Sequence, residues 1–230
     1  MTQTILQRAN YHNAELRLIE KLLLTLKAEG KSTLLDVGCG KGTYAPVLQT
    51  TGLDFYGVDI NPEMLELARN NGHRPVSTEH LEASGQHFDI ILISHVIEHL
   101  HYKELYEFLD YYIQKLSPDG RLIIASPLLV SNFYFDFTHE RPYYPQAIWQ
   151  VFGDYNDSLS IAKKEKIKLE DIYFVKDSFR TRSWRSYYIR NPRLPHLMTH
   201  YWNVTLALIY LRTGYRFGKK VSWIGVYKKK

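Results

Sequence analysis

Acidic residues stop at Asp177: beyond it the chain has no Asp or Glu, while twelve Lys and Arg follow. The preceding part carries seventeen basic against 24 acidic side chains, so the overall charge of +5 hides an acidic body and a basic C-terminal lobe. Such asymmetry fits an anionic partner, either a phosphorylated ligand, a nucleic acid or an anionic membrane, or else a solvated face that complements the body. Cysteine is nearly missing too. Cys39 is the single one, which excludes an internal disulfide and points to a reducing cytoplasm. No apolar run approaches the ~20 residues that span a bilayer, and Met1 to Asn10 lacks the regions of a signal peptide. Repeats and low-complexity tracts are absent, and 230 residues suffice for one well-buried domain.

What is present alternates. Apolar positions at Leu16, Ile19, Leu22, Leu23 and Leu26 keep a helical period that ends at Gly30. Strands are predicted at Thr33–Val37, Phe55–Val58, weakly at Arg74–Ser77, then at Phe88–Ile93 and Arg121–Ala125. Helices are predicted between them at Tyr44–Thr50, Pro62–Asn70 and Lys103–Leu116. Pro118-Asp119-Gly120 reads as a turn, because Pro presets φ and Gly accepts φ > 0. This rhythm predicts a doubly wound parallel sheet. After Ser126 the chain becomes aromatic and loop-like up to Tyr144, with a short helix at Pro145–Phe152 and further strands at Ile172–Phe179 and Ser222–Tyr227. An insert of roughly 180–220 separates those two strands. Within it His196–Leu211 is apolar nearly all round, which predicts a buried or interface helix, or alternatively one lying in the plane of a membrane surface.

The densest chemistry lies at Leu34-Leu35-Asp36-Val37-Gly38-Cys39-Gly40-Lys41-Gly42, followed by Tyr56-Gly57-Val58-Asp59. Glycines free φ and remove Cβ, so the backbone can press against a ligand. An acid ending the next strand can accept both hydroxyls of a ribose. The dinucleotide spacing Gly-x-Gly-x-x-Gly fails, since its third glycine would be Thr43. Glycines at 38, 40 and 42 behind Asp36 instead resemble motif I of the class I S-adenosylmethionine (SAM) dependent methyltransferases. The resemblance covers about residues 33–126. It implies a Rossmann-like seven-stranded sheet whose last strand is antiparallel, with the basic helical insert before that strand. The whole chain would then be one methyltransferase domain: an N-terminal helix in 1–30, a SAM-binding core in 31–126 and an acceptor side in 127–230.

The resemblance also implies cofactor roles. Asp36 would sit at the aminocarboxypropyl end, with Gly38, Gly40 and Gly42 beside it. Asp59 would hold the ribose and Ile60 would pack on adenine. Thr78 and Glu79 would reach the adenine edge, although the usual Gly-Asp-Ala-like signature is missing there. Ser94 and His95 would lie beside the methionine part.

Two further blocks follow strand ends. In His95-Val96-Ile97-Glu98-His99-Leu100, a helix would put positions 95, 98 and 99 on one side. Asp136-Phe137-Thr138-His139-Glu140-Arg141-Pro142-Tyr143 resembles a block of methyltransferases in glycan and secondary-metabolite biosynthesis. Glu98, His99 and His139 form a possible divalent-metal set. They partly resemble the Glu-x-x-Glu-His cluster of metal-dependent RNA 2′-O-methyltransferases and ubiquinone-pathway O-methyltransferases, but His95 replaces the first Glu. The expectation is therefore SAM without a metal, with Glu98 and His99 anchoring the segment and shaping the pocket. His139, with His99, is the candidate catalytic base, since an unperturbed imidazole titrates near ~6.5. Arg141 suits a phosphate or carboxylate, and Asp136 and Tyr143 complete the expected substrate side. The expected reaction is O-methylation of a small-molecule or glycan- or lipid-linked acceptor. Alternatives are methylation of RNA through the basic C-terminal region, a non-enzymatic partner at a membrane surface, or a catalytically silent fold. A nucleic-acid partner is not expected but stays open, as do peripheral membrane contact and the oligomeric state.

Overall fold

The computed structural model describes residues 2–130, 133–153, 166–181 and 194–230. Among these the chain forms two compact units, Met1–Leu18 with Val175–Val221 and Ile19–Phe174 with Ser222–Lys230. No described helix is long and apolar enough to cross a membrane.

The larger unit is built on a six-stranded sheet. Its strands are β1 (Thr33–Val37), β2 (Asp54–Val58), β3 (Phe88–Ser94), β4 (Leu116–Pro127), β5 (Ile167–Asp177) and β6 (Lys219–Lys229), in the order β2-β1-β3-β4-β6-β5. The strands β2, β1, β3 and β4 run parallel, and β6 pairs antiparallel with β4, Ile123 lying opposite Val226. The ends of β5 and β6 pass into the other unit. Central strands are largely apolar because helices cover both faces of such a sheet; Leu34, Leu35 and Ile90 to Ile93 are fully buried.

Helices follow the strands: α1 (Thr2–Arg8), α2 (Tyr11–Ala28), α3 (Ala45–Thr51), α4 (Pro62–Asn70), α5 (Thr78–Ala83), α6 (Tyr102–Gln114), α7 (Pro145–Phe152) and α8 (Leu194–Arg212). Several starts follow local chemistry. Asn61 caps α4 by accepting the Glu63 N–H, with Pro62 in the first turn. At α6 the Glu104 carboxylate reaches back to the His101 N–H.

Four expectations need correction. The predicted strand Arg74–Ser77 is only a single bridge between Gly57 and Pro75, so the sheet has six strands, not seven. Pro75 has no N–H to give a ladder, and the chain turns into α5 at Thr78. The helix predicted to run to Leu116 ends at Gln114. The strand predicted to begin at Arg121 begins at Leu116, so the turn Pro118-Asp119-Gly120 falls inside β4 as an irregularity, where Asp119 takes φ +61 and the register against β3 shifts between Phe88 and Ile90. Finally, the N-terminal helix is two helices, broken at Ala9 and Asn10, whose side chain accepts the Asn13 N–H at 2.9 Å.

Candidate functional site

The β1–α3 turn carries three left-handed glycines, and their surroundings separate their jobs. A Cβ on Gly38 would stand 2.4 Å from Val96 Cγ2, and one on Gly42 2.9 Å from His73 Cδ2, so both are needed for packing. Gly40 (φ +52) faces open space, with nothing within 4 Å of a Cβ placed there. Its N–H donates to Asp59 Oδ2 at 2.9 Å, and Asp59 Oδ1 accepts the Asn61 N–H at 2.8 Å. The acid is thus fixed beside the turn with lone pairs to spare. Ile60 next to it is 97 % exposed, an apolar side chain with a free face. Open space at Gly40, a fixed carboxylate and a bare apolar surface fit a nucleoside with ribose hydroxyls.

Asp36, on β1, is fully buried. Its Oδ2 lies 3.3 Å from Nε2 of His73, which is buried as well. The angles do not make a hydrogen bond, and neither that oxygen nor either His73 nitrogen has another partner among the described residues. Burial, and then Asp59, push the Asp36 carboxyl up to about 7, while burial pushes His73 down to about 4. Cys39 beside them is buried and free, its thiol pushed up to about 12 chiefly by burial, and so unreactive.

The ends of β3 and β4 form a second group. The Ser94 and Tyr44 hydroxyls share a hydrogen bond of 2.6 Å. His95 adopts φ +54, and a single 3₁₀ turn, Ile97–His99, replaces the expected helix start. His95 Nδ1 still meets Glu98 Oε1 at 3.2 Å, and Ser126 donates to Glu98 Oε2 at 3.2 Å, so the fully buried Glu98 ties the two strand ends together. The backbone carbonyl of Glu98 accepts the Glu140 N–H, which brings the second block alongside.

His99 and His139 have rings 4.8 Å apart. Nδ1 of His139 lies 2.7 Å from the Phe133 carbonyl, and Nδ1 of His99 lies 2.9 Å from Thr138 Oγ1 and 3.3 Å from the Thr138 carbonyl. A carbonyl only accepts, so each Nδ1 carries a hydrogen, and the neutral form of either ring would present Nε2 as a lone pair. Thr138 also donates through its N–H and hydroxyl to Asp136 Oδ1, which holds the Asp136 carboxyl below its ordinary range. Glu98, His99 and His139 each offer a ligand atom within 4.8 Å of the others. Two donors on one zinc-like ion stand at most about 4.2 Å apart, so metal binding would require this cluster to tighten.

Arg141 and Tyr143 line a cavity of about 670 Å³ between α6 and α7, with Tyr102, Tyr106, Leu109 and Val151 among its walls. The Tyr143 hydroxyl donates to the Leu100 carbonyl at 2.9 Å, and the Arg141 guanidinium stands 5.9 Å from the centre of its ring. Thr78 and Glu79 open α5 instead of ending a strand, and Glu79 is exposed. Sequence reasoning overlooked His73, Tyr44, Ser126 and this cavity. Only Ser126 had a local signal, as a polar residue ending an apolar strand.

The fold is that of the SAM-dependent methyltransferases. A methyltransferase of this type from Archaeoglobus fulgidus superposes with a TM-score of 0.57 at 22 % identity, covering 93 % of this chain and 94 % of that one. Magnesium protoporphyrin IX methyltransferase of Synechocystis, solved with bound SAH, gives 0.58 at 14 % identity over 96 % and 85 %. The family model described as a methyltransferase domain matches residues 8–214, and the chain belongs to that family. Among curated relatives, the ubiquinone biosynthesis O-methyltransferase of Sinorhizobium fredii is 30 % identical over 101 residues. That match spans 40 % of this chain and 40 % of the relative.

Proposed function

We propose that this methyltransferase moves the methyl group of SAM to a hydroxyl oxygen of a small acceptor with an apolar body. Bound SAM supplies an electrophilic methyl on its sulfonium. Asp59 would accept the ribose hydroxyls, Ile60 would cover adenine, and the open backbone at Gly40 would let the cofactor lie close. Asp36 and Ser94 would face its amino-acid end.

The observation that carries the acceptor chemistry is the pair of imidazoles fixed as Nδ1–H tautomers. As the acceptor oxygen bonds to the methyl carbon and the carbon–sulfur bond breaks, the hydroxyl proton passes to His139 Nε2. His99, with the same tautomer, stands next to it to share or relay that proton. Most of the rate would come from holding oxygen and methyl in line. The cavity between α6 and α7 has the size and apolar lining of a small-molecule site, and Arg141 at its wall suits an anionic group on the acceptor. The relatives named as O-methyltransferases of ubiquinone biosynthesis support an oxygen acceptor on a small molecule. Buried, free Cys39 suits action in a reducing cytoplasm.

His139→Ala should cut turnover on a phenolic acceptor roughly 10²-fold or more while SAM affinity stays within about twofold. The assay is SAH release at saturating SAM, with calorimetry for the cofactor. Unchanged turnover would remove His139 as the base. A metal-assisted version of the same step rests on the Glu98, His99 and His139 donors, and a chelator would then abolish activity that added Mn²⁺ or Zn²⁺ restores.

A further inference from the structure

The smaller unit carries a surface that includes none of the residues assigned above to methyl transfer. Helix α8 has a buried and an open face. Val204, Leu206, Ala207 and Tyr210 are buried. The Tyr210 hydroxyl donates to the Lys176 carbonyl, and the Asn203 side chain exchanges hydrogen bonds of 2.8 Å in both directions with the Thr181 backbone. These contacts fix which way the helix faces. On the other side Met198, Tyr201, Trp202, Thr205, Ile209 and Arg212 are all exposed. At 3.6 residues per turn they fall within an arc of roughly 100°. Met198 is 65 %, Tyr201 57 % and Trp202 55 % exposed, a contiguous apolar and aromatic stripe.

Charge decides what covers it. The segments forming this unit hold twelve Lys and Arg against two acids, Glu15 and Asp177. Glu15 is fully buried and Asp177 is half-buried, its carboxyl raised by burial, so this unit itself presents no fully exposed acid. Arg212 ends the stripe, and Arg216, Phe217 and Lys219 follow it, all exposed. A second copy of this chain joined symmetrically through the same stripe would bring a like-charged surface to the contact. Nucleic acid would suit the cations and stack on Tyr201 and Trp202, but would leave Met198 and Ile209 without an apolar phase. A bilayer with anionic headgroups satisfies both, because Trp and Tyr settle at the headgroup level, aliphatic side chains reach the acyl boundary, and each nearby Lys or Arg adds attraction.

We propose that the exposed stripe of α8, with Arg212, Arg216 and Lys219, docks this protein on an anionic lipid surface. The contact is peripheral, a helix lying flat in the interface. It does not depend on which acceptor is methylated, and it brings the protein to the phase in which an amphiphilic acceptor dissolves.

The test is cosedimentation of the full chain with vesicles of phosphatidylglycerol and phosphatidylcholine, against vesicles of phosphatidylcholine alone. Binding is expected to the anionic vesicles only. Met198→Ser with Trp202→Ser should weaken it at least tenfold, with the circular dichroism spectrum and melting temperature unchanged because both sites are exposed. Arg216→Gln and Lys219→Gln should each cost about fivefold, the equivalent of ~1 kcal/mol per cation, and less at high salt. Brominated acyl chains should quench fluorescence in the wild type more than in Trp202→Phe. Absence of vesicle binding at low salt would overturn the proposal. So would binding that ignores the Met198 and Trp202 changes, binding to an RNA oligonucleotide but not to vesicles, or a dimer that the serine variant dissociates without any lipid binding.

Discussion

Replacing Asp36 with Asn should turn a nearly flat pH–stability profile into a rising one. A carboxylate and an imidazolium sharing one 3.3 Å contact, with Asp36 Oδ2 and both His73 nitrogens otherwise unpartnered among the described residues, recover too little to repay the desolvation of two charges. The neutral forms are therefore favoured, and the two groups move in opposite directions. Asp36 is raised to about 7 from an ordinary 3.8. Between those values the folded state holds a proton that the unfolded chain has lost, so stability falls as pH rises. At 1.36 kcal/mol per unit this amounts to about 4 kcal/mol by pH 7. His73 is lowered from 6.5 to about 4. Across that window the unfolded chain holds the extra proton, so stability rises with pH, by about 3 kcal/mol.

In the wild type the two slopes cancel between about pH 4 and 6.5, and the Asp36 loss survives alone just above. Asp36→Asn deletes one slope and keeps the volume. Its urea midpoint should climb from pH 4.5 to 6.5 while the wild type stays level. Above pH 7 the variant should be the more stable protein, by roughly 4 kcal/mol before any new hydrogen bond of the amide is counted. The measurement is urea denaturation without SAM at pH 4.5, 5.5, 6.5 and 8, followed by circular dichroism. Parallel profiles for the two proteins would refute the neutral-pair reasoning and favour a charged pair, in which the removal of either partner destabilises at every pH.

Three other expectations concern the cofactor and acceptor. Gly38→Ala and Gly40→Ala should part company. The former drives a methyl into Val96 and should cost about 2–3 kcal/mol in a denaturant melt. The latter should leave the fold within ~1–2 kcal/mol yet weaken SAM binding more than tenfold by calorimetry, because its methyl enters the open cleft. Asp59→Ala should weaken SAM by roughly 10²-fold, from charge-assisted bonds of ~1.5–3 kcal/mol each, and an unaffected affinity would end the ribose assignment. Ala147→Trp, an exposed position in the wall of the α6–α7 cavity, should raise the KM for the acceptor about fivefold or more without touching SAM affinity. Equal KM values would mean that the acceptor lies elsewhere.

What the sequence made legible was local. The strands at Thr33–Val37 and Phe88–Ser94 and the helices at Pro62–Asn70 and Pro145–Phe152 are signalled by contiguous apolar runs or by Pro in a first helical turn, and each lies where its signal puts it to within a residue. The Gly38–Gly42 turn with Asp59 belongs to the same class, because its meaning is carried by spacing within two adjacent strands. The weak strand at Arg74–Ser77 failed where a local pattern met a competing local fact, the missing N–H of Pro75.

Other features had no local signal at all. His73 meets Asp36 across 37 positions of chain, and nothing in Asn71-Gly72-His73 announces a buried imidazole. Positions 95, 98 and 99 read as one side of a helix, but His95 at φ +54 and the 3₁₀ turn replace that helix start, and Ser126 from another strand joins His95 in holding the Glu98 carboxylate. The same limit applies to α8. Its composition is apolar nearly all round, so periodicity could not say which side was covered. Only the burial of Val204, Ala207 and Tyr210 against the exposure of Met198, Tyr201 and Trp202 separates its faces. An apolar helix with one face left bare, in a unit without a fully exposed acid, offers a surface that an apolar and anionic phase can cover. The direction of the bare face is therefore the observation that converts composition into a testable surface.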